Sequence, residues 1–386
     1  MGKPRTLDDA GMAPRIGRLL KRERSFGQLA ENSGLSLESK RFAGGWRHMV
    51  TIGDVASAAG VSRSTASYAL SGKRTISPQV RARVAEAVRE LGYTPNAGAR
   101  ALATSRTSVI ALLGRFLPDE FAPAMLQYIL GVTNRARELG YDTLLVSEED
   151  GAAALQRISS SRMVDGFVLL NVAERDDRLP VLRSAQQPGA LLGLPGDPSS
   201  VDVFDLDFPA AGGLMVDAMY QLGHRELILV SQPLHVIERG GAYVWRLADR
   251  ARERADELGM TLHSYNGASG QPEVGDDLHR FLDAHPSATG LLLNNEAASA
   301  ALPNVLATRG MTCPEDLSVI GRFSDEFARM FSLPYSAVDS AADELGRRAV
   351  EALVRRIEEG DSGSPIHIEL ITPVIHDRGS LAAPRK

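Results

Sequence analysis

The stretch Val50–Arg106, VTIGDVASAAGVSRSTASYALSGKRTISPQVRARVAEAVRELGYTPNAGARALATSR, decides how the chain is read. Ile52, Val55, Ala56 and Ala59 recur at i, i+3, i+4 and i+7, one face of a helix, and Thr51 stands where its cap belongs. Gly60 and Val61 make a turn. Ser62 can cap a second helix in which Ala66, Ala69 and Leu70 face the first, leaving Arg63, Ser64, Ser67 and Tyr68 together on the other side. Ser77 and Pro78 then open a third helix, periodic through Val80, Val84, Val88 and Leu91 until Gly92 stops it. The arrangement is a helix-turn-helix with a supporting helix, and its polar ridge suits a DNA major groove about 12 Å wide.

Charge is divided along the chain in the same sense. Residues 1–48 carry ten Lys/Arg against five Asp/Glu, residues 49–106 eight against three, and the remainder 25 against 40, within a net charge of -5. A basic module joined to an acidic body concentrates DNA contact at one end. The 386 residues, 44% hydrophobic and 24% charged, leave room for two or three domains. A single cysteine, Cys313, excludes an intrachain disulfide, and the eight His are scattered without metal-ligand spacing. No metal and no cofactor are expected. The absence of a long apolar run or a secretory signal points to a cytoplasmic protein with no membrane partner.

The body from residue 108 alternates apolar runs with helical stretches. The runs are VIALLG (109–114), TLLVS (143–147), GFVLL (166–170), ALLGL (190–194), LILVS (227–231), GLLLNN (290–295) and LSVIG (317–321). Crossover helices such as Ala122 to Leu139 and Ala211 to Leu222, ended by Gly140 and Gly223, make these parallel strands. Such sheets bind ligands at the carboxyl ends of their strands.

The fixed spacings resemble those of the lac repressor (LacI/GalR) family of bacterial transcription regulators. The family's opening pattern falls at Thr51 to Ala56, Ala59 to Ser62, Thr65 to Ser67 and Leu91 to Asn96, with Ala66 where Val is usual. Further matches are GYDTLLVS (140–147), VDGF (164–167), LGHR (222–225) and PEDLSVIG (314–321), so the likeness spans residues 50 to 380. It implies an α/β chain with an N-terminal all-α helix-turn-helix domain (49–94), a hinge helix or linker (95–107), a two-lobed periplasmic-binding-protein-like effector and dimerisation domain with parallel sheets (108–380), and a tail (381–386). Residues 1–48 stand outside the pattern. They read as a product of an upstream start codon before Met49, as a disordered basic arm, or as a second helix-turn-helix over Leu29 to Ser39.

The resemblance implies a homodimer on double-stranded, pseudo-palindromic operator DNA, a repressor under small-molecule control. Candidate DNA contacts are Thr51, Ser62, Arg63, Ser64, Thr65, Ser67, Tyr68 and Asn96, with Leu102 as a minor-groove wedge and Ala99 as a small residue where two hinge helices approach. In the cleft, family members use an Arg, an Asn and an Asp. The Arg matches as Arg239 in RGGAY and the Asn as Asn295, followed by Glu296 instead of Asp. The turn that carries the Asp reads Gly321, Arg322, Phe323, Ser324, and Phe cannot accept bonds from sugar hydroxyls. Asp207 matches an Asp position, with Phe208 where Asn is usual, and Phe121 completes the candidate effector contacts with Phe323. Three readings stay open: a less polar or aromatic effector, a sugar held differently, or a vestigial cleft on a ligand-independent regulator.

Other classes fit less well. No GxSxG elbow, Walker loop, GxGxxG turn or HExxH helix appears, so no enzyme is expected, and Asp176 with Asp177 reads as solvated surface. A solute-binding protein would not need the helix-turn-helix. An architectural DNA protein would not need the large body.

Overall fold

The computed structural model of the protein describes residues 50–71, 74–94, 106–115, 122–330, 333–360 and 365–385. The chain divides into two compact units, one ending at Asn96 and the other starting at Ala97. Of the expected contacts, Asn96, Ala99, Leu102 and Phe121 lie outside the described residues, as does the segment 1–48.

In the first unit, α1 (Ile52–Ala59), α2 (Arg63–Ser71) and α3 (Pro78–Leu91) follow the expected order. Thr51 and Asp54 form a reciprocal capping box at the start of α1, and Gly60 closes the helix with φ 62°, a left-handed conformation that suits glycine. The Ser77 hydroxyl accepts the Val80 N–H, with Pro78 in the first turn. Val55, Ala56, Ala59, Ala66, Val84 and Ala87 close a small core. Leu70 departs from expectation. It is 40% exposed, because the apolar face of α2 is held by Ala66 and Ala69 and Leu70 turns past its edge.

The second unit holds β1 (Val109–Gly114), α4 (Ala122–Glu138), β2 (Asp142–Ser147), α5 (Gly151–Ser161), β3 (Gly166–Leu170), α6 (Arg178–Ser184), β4 (Gly189–Leu192) and β5 (Asp202–Leu206). There follow α7 (Phe208–Leu222), β6 (Glu226–Ser231), α8 (Leu234–Glu238), α9 (Ala242–Glu257), β7 (Thr261–Asn266), α10 (Glu273–Ala284), β8 (Gly290–Leu293) and α11 (Glu296–Arg309). The chain ends with β9 (Ser318–Phe323), α12 (Asp325–Arg329), β10 (Ser336–Asp339), α13 (Ala342–Glu359), β11 (Ile368–Ile371) and β12 (Ile375–His376). Two six-stranded sheets result, ordered β11-β5-β4-β3-β1-β2 and β12-β10-β9-β8-β6-β7. All neighbours are parallel except β10 and β12.

The central strands of each sheet are covered on both faces, which is why most of them read as continuous apolar runs. On the first, Val132 and Ala136 of α4 and Leu345, Ala349 and Leu353 of α13 pack against Ile110 and Val168. On the second, Met215 and Met219 of α7 and Leu247 and Ala251 of α9 pack against Leu227 and Leu229. Helix α13 follows β10 of the second sheet in sequence yet packs on the first, and β12 later returns to the second, so the chain crosses between lobes more than once. A Cβ on Gly131 would lie 2.5 Å from the Asp343 carbonyl, so glycine sets how closely α4 and α13 approach.

The segment after residue 380 is packed against the second lobe. The Ala382 carbonyl accepts hydrogen bonds from Ser318 (2.9 Å) and lies 2.9 Å from His224 Nε2. Among the described residues, no helix is long and apolar enough to cross a membrane.

Candidate functional site

On α2, Arg63, Ser64, Ser67 and Tyr68 are exposed on one side while Ala66 is fully buried on the other. The Ser62 hydroxyl accepts the Thr65 N–H at 3.1 Å and lies 2.9 Å from Ser64 Oγ and 2.8 Å from Thr65 Oγ1. A helix N-terminus dressed with hydroxyls is suited to phosphate. The Arg74 guanidinium lies 5.6 Å from the Tyr68 ring centroid. Thr51 caps α1 through both its N–H and its hydroxyl, bonded to Asp54.

In the second unit a cavity of about 160 Å³ lies outside the carboxyl ends of both sheets. That volume would hold on the order of ten waters, and so a ligand of roughly monosaccharide size. It is lined by Asn171 after β3, Asp205 in β5, Gln232 after β6, Asn295 and Glu296 after β8, and Arg322 and Phe323 in β9. In both sheets β1 and β6 are flanked by the next two strands in sequence, the point where chain direction along the sheet reverses.

The wall of this cavity is charged. Arg322 is 7% exposed; its Nε donates to Asn294 Oδ1 (3.0 Å) and its Nη2 to Glu296 Oε1 (3.1 Å), while Gln232 Nε2 donates to Glu296 Oε2 (2.6 Å). Burial works most strongly against the Arg322 charge, yet the Glu296 carboxylate together with the Tyr243 and Tyr128 hydroxyls outweighs it and holds the guanidinium pKa above its ordinary value. The guanidinium also sits 5.8 Å from the Phe208 ring and 5.9 Å from that of Tyr243. Across the cavity, Asp205 accepts the N–H groups of Leu194 (2.8 Å) and Leu206 (2.9 Å). Burial nevertheless raises its carboxyl from 3.8 to about 6. Arg246 joins the lobes by donating to the Leu194 carbonyl (2.7 Å) and to Glu174 (2.6 Å).

The expected cleft residues divide by role. Phe323 is fully buried, lines the cavity and meets Phe327 edge-on at 5.6 Å. Arg239 lines it from an exposed position after α8. Asn295 lines it too, but its amide is occupied. It accepts the Ala298 N–H (2.9 Å) as the cap of α11 and donates to the carbonyls of Ser231, Gly267 and Ala268. Asp207 instead caps α7 through the Ala210 N–H (2.9 Å), and its neighbour Asp205 faces the cavity.

Sequence reading passed over Asp205 and Arg322. The signal available for Arg322 was a charged residue inside a strand otherwise apolar. Asp176 is a correction: it is not solvated surface but 6% exposed. It holds the fully buried Arg178 through bonds of 2.9 and 2.7 Å, and Arg178 in turn donates to the carbonyls of Leu113 and Leu170. Burial pushes the Asp176 carboxyl up, but the Arg178 hydrogen bonds and charge leave it below the ordinary carboxylate value. Asp177 remains exposed.

Comparison with known proteins accounts for the two units. Residues 51–96 match the bacterial regulatory proteins of the lacI family, and residues 216–381 match a periplasmic binding protein-like domain. The HTH-type transcriptional regulator CelR of Thermobifida fusca is 31% identical over 339 residues, 84% of this chain and 97% of that protein. The ribose operon repressor of Escherichia coli (strain K12) is 26% identical over 344 residues, 86% of this chain and 100% of that protein. The lac repressor dimer bound to operator and the anti-inducer ONPF has the same fold, with a TM-score of 0.69 at 20% identity over 86% of this chain and 99% of that one. The CelR–cellobiose complex gives a TM-score of 0.59 at 23% identity, over 86% and 99% of the two chains. These relatives are regulators and repressors, not enzymes. With a helix-turn-helix head and a two-lobed α/β body matched along most of its length, the chain belongs to the lacI family of DNA-binding bacterial transcriptional regulators.

Proposed function

We propose that the protein is a cytoplasmic repressor that binds a pseudo-palindromic operator as a homodimer and changes its DNA affinity when a sugar-class effector enters the cleft. The domain limits drawn from sequence, 49–94 for the head, 95–107 for the hinge and 108–380 for the body, are part of this reading. Arg63 and Ser64 reach base edges, Tyr68 a base or phosphate, and Thr51, Ser62, Thr65, Ser67 and Asn96 serve the backbone. Leu102, with Ala99 beside it, supplies the minor-groove wedge of the hinge. Leu126 and Leu130 are exposed one helical turn apart on α4, and Leu145 is exposed on the edge strand β2, which supports a self-association surface there.

The observation that carries the effector reading is the buried Arg322–Glu296–Gln232 chain on the cavity wall. A cleft built for an apolar compound would not keep a guanidinium and a carboxylate there, since buried charges are costly unless they serve each other or a ligand. Arg322 and Glu296 offer donors and acceptors where the family's Asp is replaced by Phe323, and Phe208, Tyr243 and Phe323 offer faces to a sugar ring. Arg239, Asn295, Asp207 and Phe121 complete or support the contact set. The CelR–cellobiose complex and the ribose operon repressor make sugars the first compounds to try.

The test is selection of bound fragments from a randomised DNA pool, followed by calorimetry with cellobiose, ribose, nucleosides and aromatic metabolites. Recovery of a palindromic consensus and saturable binding of a sugar is the expected result. No enrichment by an intact dimer would remove the operator reading, and binding of aromatic metabolites alone would remove the sugar.

A further inference from the structure

We propose that Glu226, His263 and His285 form a binding site for a divalent transition-metal ion of the zinc class, separate from the cleft. The three residues come from different segments: Glu226 opens β6, His263 lies within β7, and His285 follows α10. In the parallel register His263 stands opposite Ile228, so Glu226 and His263 are diagonal neighbours on one face of the sheet. Tyr265 is on that face as well, two residues farther along β7, and its ring stacks on Phe281 of α10 at 4.1 Å. That stack anchors the end of α10 and brings His285 over His263, with ring centroids 3.5 Å apart and planes inclined by 12°.

One ligand atom from each side chain lies within 4.8 Å of the other two, and His263 Nε2 is 3.1 Å from Glu226 Oε1. Donors around a tetrahedral zinc stand roughly 3.4 Å apart, since each bond is about 2.1 Å. Side-chain closure of about an ångström converts the cluster into a coordination set, within reach of rotamer adjustment at partly buried positions. Imidazole and carboxylate together suit zinc and its neighbours, not magnesium or calcium.

The groups behind the ligands are the second observation. The Tyr265 hydroxyl is hydrogen-bonded to His285 Nε2, so His285 would ligate through its other ring nitrogen, Nδ1, and the Ser287 hydroxyl is bonded to the Glu226 carboxylate. Metal-bound His and carboxylate side chains are held from behind in this way. The spacing 226, 263, 285 shows no motif in sequence because the sheet and α10 assemble it. The site is remote from effector chemistry: Glu226 starts β6 and Ser231 ends it on the cleft side, roughly 17 Å away at the rise of a strand.

The test uses the full chain without an affinity tag, stripped with chelator and titrated with zinc and with cobalt. One zinc per chain, a raised Tm and a cobalt visible spectrum are expected. His263→Ala, His285→Ala and Glu226→Gln should each weaken zinc binding at least tenfold while circular dichroism and DNA binding stay unchanged. Tyr265→Phe should cost about 10- to 100-fold in affinity if it orients His285. Absence of zinc binding by the well-folded wild type, or undiminished binding in the His263→Ala/His285→Ala double variant, would overturn the assignment.

Discussion

Arg322 Nη2 lies 3.1 Å from Glu296 Oε1, and both side chains are more than nine-tenths buried on the wall of the cleft. Phe323, the next residue along β9, lines the same cleft. Removal of one member should therefore be far worse than removal of both. Arg322→Met strands a carboxylate and should destabilise the body by about 3–5 kcal/mol, while Arg322→Met/Glu296→Met should recover most of that loss. Urea denaturation of the three proteins decides it; equal stability of single and double variants would mean the pair is not buried in solution.

Asp205 gives the body a pH dependence of definite sign. Its folded-state carboxyl is raised to about 6 from 3.8, so the native state holds this proton more tightly than the unfolded chain. The contribution to stability is full below pH 3.8, declines as pH rises toward 6 and stays lost above it. Two pKa units correspond to about 3 kcal/mol. Denaturation midpoints between pH 4 and 7 should show this fall superposed on other titrations, and Asp205→Asn should flatten it. An unchanged profile in the variant would assign the dependence elsewhere.

Gly321 is required by the residue two places on. A Cβ there would lie 1.9 Å from Phe323 Cε2, because the ring folds back over the strand. Gly321→Ala should cost about 1–3 kcal/mol by overpacking. In a Phe323→Ala background the same substitution should cost almost nothing, and a full cost there would separate the two residues.

Much of the fold was legible because burial on both faces writes strands as apolar runs. Each of the seven runs read from sequence marks a strand, though ALLGL and GLLLNN run past the ends of β4 and β8 and LSVIG starts one residue ahead of β9, and the capping residues Thr51, Ser62 and Ser77 act as their spacing suggests. The strands that sequence reading missed lack that signature. β5 reads DVFDL because Asp202 is neutralised by Arg356 through two bonds of 2.6 Å, a partner 154 residues away. β7 and β11 are edge strands with mixed exposure, β10 is the four-residue SAVD with a polar residue at each end, and β12 has only two residues. The site was harder still. Asp176 looked solvated because no spacing rule announces that Arg178 folds back onto it, and matching the family's turn at Phe323 drew attention past Arg322.

Arg63 should read sequence rather than supply charge alone. Arg63→Ala should relax discrimination at one base pair of each half-site by roughly 1–3 kcal/mol, whereas loss of a phosphate contact weakens all sequences alike. Binding to a set of single-substituted operators distinguishes these patterns, and uniform weakening would remove the base contact.

Control of the head by the cleft is tested most directly by operator affinity with and without bound sugar. Fluorescence anisotropy of a labelled operator should show a shift of about 5- to 150-fold at saturating effector, the range of ordinary allosteric coupling. Arg322→Lys, which keeps the charge but loses the planar fork, should bind operator normally and lose the shift. An operator affinity indifferent to every compound that calorimetry finds in the cleft would contradict effector control, and a full shift in Arg322→Lys would contradict the role given to the Arg322–Glu296 pair.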